Sequence, residues 1–188
     1  MCIRDSSYAN VVSSFFGAKY QHSIEELLVS PTPNYIILLG FTLGGVARGL
    51  CVGLIVTVLS LAFVHLQVQH LALTILVVFQ TAVLFSLAGL INAVYANNFD
   101  DVTIIPTFVL TPLIYLGGVF YSMDLLPAFW RGVSQANPIL YMVNAFRYGV
   151  LGVSDIDVGM AVGMIALFIV IGWCYCLYLL NSGKRLRQ

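Results

Sequence analysis

Apolar residues fill long stretches of this chain without leaving a polar face. Between Gly49 and Phe99 there is no Asp, Glu, Lys or Arg, and Val102–Met123 and Val158–Gly183 are equally free of formal charge. A helix on the surface of a soluble protein turns one apolar stripe inward and keeps its other faces polar. Helices apolar on every face over about 20 residues belong instead in a bilayer, whose hydrocarbon core penalises each charge by about 3 kcal/mol. The pattern predicts four spans: Tyr35–Val64, Leu71–Ala96, Val102–Tyr121 and Val158–Leu180. Barrel strands would alternate apolar and polar residues in segments of about ten, and these runs do not. The expected fold class is an all-α integral membrane protein, a polytopic helical bundle.

The segments between the runs carry their own signals. Ser7–Phe16 is apolar but too short to span. It reads as the end of a fifth helix, a remnant span, because the polar start Met1-Cys2-Ile3-Arg4-Asp5-Ser6 is unlike a helix at membrane depth. The expectation is an N-terminally incomplete chain. In the loop 17–34, Ser23-Ile24-Glu25-Glu26 is a capping box, in which the serine hydroxyl and the Glu26 carboxylate satisfy free amides at a helix start. Leu27 and Leu28 follow, and Pro31 and Pro33 stop the helix. A two-turn amphipathic helix lying on the membrane surface results, either an anchor or a lever for a cytoplasmic partner. Segment 122–157 is only moderately polar. Phe129 and Trp130 sit in one short apolar run, and Asn137-Pro138 opens another as N-cap and first helical residue. Two short helices dipping into the outer leaflet are expected there, with Trp130, Tyr141 and Tyr148 at the interface. They serve as a lid or exit gate, or as an anchor.

Charge orients this picture. The tail at 181–188 contains Lys184, Arg185 and Arg187, and the positive-inside rule makes it cytoplasmic. Counting back, 17–34 and 97–101 lie inside, and 65–70 and 122–157 outside. Of 188 residues 60% are hydrophobic and 9% charged, against about 25% charged in soluble domains, and the mean hydropathy is +0.96. A net charge of zero with no basic patch gives nucleic acid nothing to bind. Cys51, Cys174 and Cys176 lie within apolar spans, so with Cys2 they make no disulfide framework. His22, His65 and His70 are scattered without ligand spacing, and no nucleotide-binding glycine loop or G-x-S-x-G is present.

Within the first long span, Gly40-x-x-x-Gly44 and Gly45-x-x-x-Gly49-x-x-x-Gly53 place small residues four apart, which lets another helix backbone approach closely. Arg48 stands among them. It either snorkels toward the inner headgroups or faces a polar interior, and a charge within the membrane is a functional candidate by default. Asp100 and Asp101 solvate an inner loop and cap the third span.

Several blocks resemble a known family. Tyr8-Ala-Asn-Val-Val-Ser-Ser-Phe-Phe-Gly-Ala-Lys, Ile24-Glu-Glu-Leu-Leu-Val, Gly44-Gly-Val-Ala-Arg-Gly-Leu, Phe85-Ser-Leu-Ala-Gly-Leu, Thr107-Phe-Val-Leu-Thr-Pro-Leu and Tyr115-Leu-Gly-Gly-Val-Phe-Tyr-Ser are similar to permease subunits of ABC-2-type exporters. Within that family they resemble the YadH-like branch of the bacterial inner membrane, related to nodulation-factor and drug-export permeases. Asn137-Pro-Ile and Phe146-Arg-Tyr-Gly fit the same pattern, and the likeness runs from about Tyr8 to the C-terminus.

The resemblance implies six spans in the full protein, of which this chain holds four and the end of a fifth, with both termini cytoplasmic. It implies that Lys19, Ser23, Glu25, Glu26, Leu27 and Leu28 form a coupling helix that docks on a separate ABC ATPase subunit. It also implies that the short outer helices, with Trp130, Asn137, Pro138, Tyr141, Arg147 and Tyr148, are a re-entrant gate near the exit. Two permease copies would form the substrate pathway, and the charge-poor spans themselves, with Asn92, Thr107 and Thr111 as isolated polar groups, would suit an amphipathic or lipid-linked cargo. This chain would bind no cofactor, ATP and Mg residing on the partner, and would not itself be an enzyme. The alternatives are an intramembrane enzyme and an ion-coupled carrier.

Overall fold

The computed structural model describes residues 2–21, 23, 32–63, 68–118, 128–154 and 156–182. They form an all-α bundle, with no strand among the described residues. The helices are α1 (Cys2–Tyr20), α2 (Asn34–Phe63), α3 (Leu71–Tyr95), α4 (Phe99–Ile105), a π turn (Pro106–Leu110), α5 (Thr111–Leu116), α6 (Ala128–Gln135), α7 (Pro138–Leu151) and α8 (Val158–Ser182). Three helices are long and apolar enough to cross a membrane: α2 over Asn34–Ser60, α3 over Leu71–Tyr95 and α8 over Val158–Ser182. The chain is thus a polytopic membrane protein, and its outward faces agree. Leu43, Leu54, Ile55, Phe63, Val170 and Ile171 are all exposed, which only a lipid solvent tolerates on that scale.

Two elements depart from the sequence expectation. Helix α1 begins at Cys2 rather than Ser7. Its polar first turns are accommodated because Arg4 and Asp5 pair with each other and the Arg4 guanidinium lies 5.7 Å from the centre of the Phe85 ring. The expected span Val102–Tyr121 is a broken helix that starts at Phe99 and changes to π geometry between Pro106 and Leu110. Proline lacks an amide hydrogen and crowds the preceding turn, and Pro106 and Pro112 bracket the change in register. Threonine hydroxyls take up the carbonyls there: Thr107 donates to Thr103 at 2.9 Å and Thr111 to Pro106 at 3.2 Å. At its start, Asn98 and Asp101 form a capping box, the Asp101 carboxylate accepting from the Asn97 and Asn98 amides.

Helix α3 is the axle of the bundle, packed against α1, α2, α7 and α8. Its small residues make this feasible: Ala82, Ser86, Gly89 and Ala93 are all buried. A methyl group on Gly89 would come within 2.7 Å of the Tyr8 carbonyl oxygen, so α1 and α3 touch backbone to side of backbone. One apolar cluster joins α1, α2, α3 and α8 around Phe15, Leu38, Leu87, Leu90 and Cys176. A second joins α1, α3, α7 and α8 around Val12, Phe85, Met142, Ala145 and Ile165.

Candidate functional site

The polar side chains of the bundle gather at three levels. At the first end, α1 runs out into the segment toward α2. Lys19 donates to the carbonyls of Val94 at 3.2 Å and Ala96 at 2.9 Å, the last acceptors of α3. A cation there satisfies carbonyls that have no partner within the helix and sits at the negative end of its dipole. The Ser23 hydroxyl donates to the Ala18 carbonyl at 3.1 Å. Asn34, at the start of α2, donates to Asn181 near the end of α8 at 2.7 Å. The root of the 17–34 loop is therefore tied to α3, and its far side to α8. Glu25, Glu26, Leu27 and Leu28 lie outside the described residues.

At mid-bundle, α1 and α2 run antiparallel, meeting once per turn. Methyl groups on Gly45, Gly49 and Gly53 would strike Val11, Ser7 and Ile3 respectively, and the rings of Phe15 and Phe41 meet at 5.1 Å. Each step of four residues on one helix is answered by four on the other. Gly40 and Gly44 lie on the neighbouring strip: nothing stands within 4 Å of a methyl at Gly40, and only the Asn10 amide nitrogen, at 3.8 Å, near one at Gly44. Arg48 is on that strip too, exposed, and donates to the Asn10 side-chain oxygen at 3.1 Å. Deeper in, Asn92 donates to the Tyr8 hydroxyl at 2.6 Å and to the Val102 carbonyl at 3.1 Å, joining α1, α3 and α4.

At the second end, α7 is held by its own polar residues. Asn137 accepts from the Ile139 amide at 3.0 Å as N-cap and donates to the Leu113 carbonyl on α5 at 2.6 Å, with Pro138 the first helical residue. Tyr141 donates to the Gln135 carbonyl at 2.7 Å, linking α6 to α7. Arg147 donates to the Gly118 carbonyl at 3.0 Å, and the Tyr148 ring stacks on His70 at 5.1 Å. Gly152 ends the helix at φ 73°, a left-handed conformation that a side chain resists, with Gln69 packed where one would project. Trp130 is half exposed, edge-on to Phe129. Between α1, α3 and α7 lies a cavity of about 400 Å³, walled by Val77, Phe85, Met142 and Phe146 with Arg4 and Arg147 at its margin.

Comparison with known proteins places this arrangement. Residues 5–151 match the family described as ABC-2 type transporter. The chain belongs to the ABC-2 type transporter family. It is 54% identical over 188 residues to the inner membrane transport permease YadH of Escherichia coli (strain K12), covering 100% of this chain and 73% of that protein. It is 23% identical over 166 residues to nodulation protein J of Rhizobium leguminosarum bv. trifolii, covering 88% of this chain and 63% of that protein. No solved structure matches significantly.

In this ABC-2 type chain the matched region holds the three polar levels apart from Asn181, which lies beyond it on α8. Among the described residues no group of three or more His, Cys, Asp or Glu is placed to hold a metal ion. Sequence reasoning passed over Asn10 and Tyr8. A signal for Asn10 was present, since Asn10, Ser13 and Ser14 recur at helical spacing within an apolar run.

Proposed function

We propose that this chain is the permease subunit of an ATP-driven exporter in the inner membrane, working with a separate ATPase and a second permease copy. Its family and its likeness to a protein named as an inner membrane transport permease support the reading. The observation that carries the mechanism is the Lys19 latch. The loop that would receive the ATPase leaves α1 at the point where Lys19 binds the last carbonyls of α3. A push on that loop therefore moves α1 and α3 together, and α3 is the helix on which the bundle is packed.

In this mechanism ATP, with its Mg, binds and closes the partner, and the 17–34 loops of the two permeases move with it. The close-packed α1–α2–α3 unit rocks as a body, because its glycine contacts leave no room for sliding. In this reading the tail at 181–188 and the loop at 17–34 face the cytoplasm. The short helices α6 and α7 then stand at the opposite surface, where the cargo leaves. Helix α7, pinned to α5 through Asn137 and to His70 through Tyr148, follows any tilt of its neighbours and so acts as the gate.

Co-purification tests this. The full-length protein is extracted in mild detergent with its candidate ATPase, beside Glu25→Ala/Glu26→Ala and Leu27→Asp/Leu28→Asp variants. The exporter reading expects the ATPase to accompany the wild type and to be lost from the variants. If no ATPase associates under any mild condition, an intramembrane enzyme or an ion-coupled carrier replaces it.

A further inference from the structure

Proline deprives the turn before it of a donor. In an unbroken helix the Val102 carbonyl would accept from the amide of residue 106, and Pro106 has no hydrogen to give. The Asn92 side chain of α3 donates to that carbonyl instead, at 3.1 Å, and to the Tyr8 hydroxyl of α1 at 2.6 Å. One amide group therefore holds α4 to both α1 and α3. Across the break the Thr111 amide bonds the Pro106 carbonyl, in π register. Pro112 withholds the next amide, and the hydroxyls of Thr107 and Thr111 bridge the gap.

The α5 half of the same span is held elsewhere. Its Gly117 amide turns back to the Ile114 carbonyl at 3.1 Å, which leaves the Leu113 carbonyl to the Asn137 side chain of α7 at 2.6 Å. Arg147, also on α7, donates to the Gly118 carbonyl at 3.0 Å. A methyl group on Gly117 would come within 2.7 Å of Ile139. So α4 answers to α1 and α3, and α5 to α7. Between them the backbone ladder lacks two donors, and a helix bends most readily where its ladder is already open. Any difference in tilt between α3 and α7 therefore collects at 106–111. Helix α7 also packs on α3 and α8, which keeps the swing small.

We infer that the π turn is a hinge, with Asn92 positioning α4 on α1 and α3 and Asn137 making α5 follow α7. The joint and both of its clamps are built from this chain's own backbone and side chains, whatever packs outside them. Its part in transport rests on the permease reading. A tilt of α7 reaches α5, while α4 stays with the helices nearest the 17–34 loop.

Paired spin labels on the full-length protein in nanodiscs test this, with labelled subunits diluted among unlabelled ones and the natural cysteines replaced. One pair, at Asp100 and Tyr115, straddles the turn; another, equally spaced, lies at Gly163 and Tyr178 on the unbroken α8. The Asp100–Tyr115 distances should spread over the wider range. Deleting Phe108 brings Thr111 into α register with Pro106 and should narrow that spread to the α8 value. Pro106→Ala/Pro112→Ala returns both amides, should narrow it in part, and serves if the deletion fails to fold. A wild-type spread no wider than that of α8, or one unchanged in both variants, overturns the hinge. Asn92→Leu should widen Asp100–Gly163 distances alone, and Asn137→Ala Tyr115–Gly163 distances alone. Both widening together in either variant marks a general loss of packing and overturns the assigned roles. With the candidate ATPase, ATP, Mg and vanadate should shift the Asp100–Tyr115 distance in the wild type but not in the deletion variant, and equal shifts overturn the proposal. If no ATPase associates, the exporter reading fails by itself, since the spread without nucleotide still decides the hinge.

Discussion

A methyl group on Gly45 would sit 2.5 Å from both the Ser86 hydroxyl and a Val11 methyl, whereas one on Gly40 would meet nothing. The two glycines are alike in sequence context and opposite in consequence. Gly45→Leu should cost about 1–3 kcal/mol or more through overpacking against α1 and α3, while Gly40→Ala should lie within about 0.5 kcal/mol of wild type. Thermal unfolding of the full-length protein in detergent measures both, and equal effects would mean that α2 is rotated about its axis. The buried Asn92–Tyr8 bond belongs to the same scale. Tyr8→Phe and Asn92→Leu, singly and together, should show a coupling of about 0.6 kcal/mol, the average for hydrogen bonds between membrane helices. Arg48 stands apart as a charge within an apolar span, held to α1 by its bond to Asn10 at 3.1 Å.

Among the elements, the caps of α4 and α7 were legible and the kink was not. Asn137-Pro138 announced the start of α7, and the structure has Asn137 as N-cap with Pro138 following. These are local signals, carried by residues within one turn of each other. Helix α1 was foreseen as a short remnant because Arg4 and Asp5 look incompatible with membrane depth, yet they pair with one another against Phe85. The π turn at Pro106–Leu110 was likewise invisible in hydropathy, which reads composition and not hydrogen-bond register. Asn137→Ala removes both the cap and the tie to Leu113, at about 1 kcal/mol for the cap alone. Hydrogen exchange should then speed up in the first turn of α7 before it changes elsewhere. Exchange rising uniformly through the bundle would show that α7 is not a separately released element.

For the whole molecule, the decisive arrangement is one helix touching nearly all the others. Through Lys19, α3 is tied at one end to the loop proposed to meet the ATPase. It also packs against α7, the proposed gate. Lys19→Met should preserve ATPase association but uncouple it. In proteoliposomes, ATP hydrolysis should continue while transport of a fluorescent amphiphile falls several-fold. If hydrolysis and transport decline together, Lys19 acts on assembly and not on transmission. Orientation has its own check. A cysteine at Gln69 should react with an impermeant maleimide added to intact cells, and one at Ser182 only after the membrane is opened.

By itself the sequence determined the solvent of this protein and the identity of its elements. Runs without charge, prolines, glycines and capping residues act over one turn or one span, and their energies do not depend on what lies alongside. Helix rotation and pairing were decided by the tertiary structure. In α2, α3 and α8 nearly every face is apolar, so hydrophobicity, which orients a helix in water, exerts no torque in lipid. Which glycines meet α1, why Arg48 finds Asn10 and why Lys19 reaches the end of α3 all follow from close packing between neighbours. Packing of that kind is a property of surfaces brought together, and it exists only once the chain has folded.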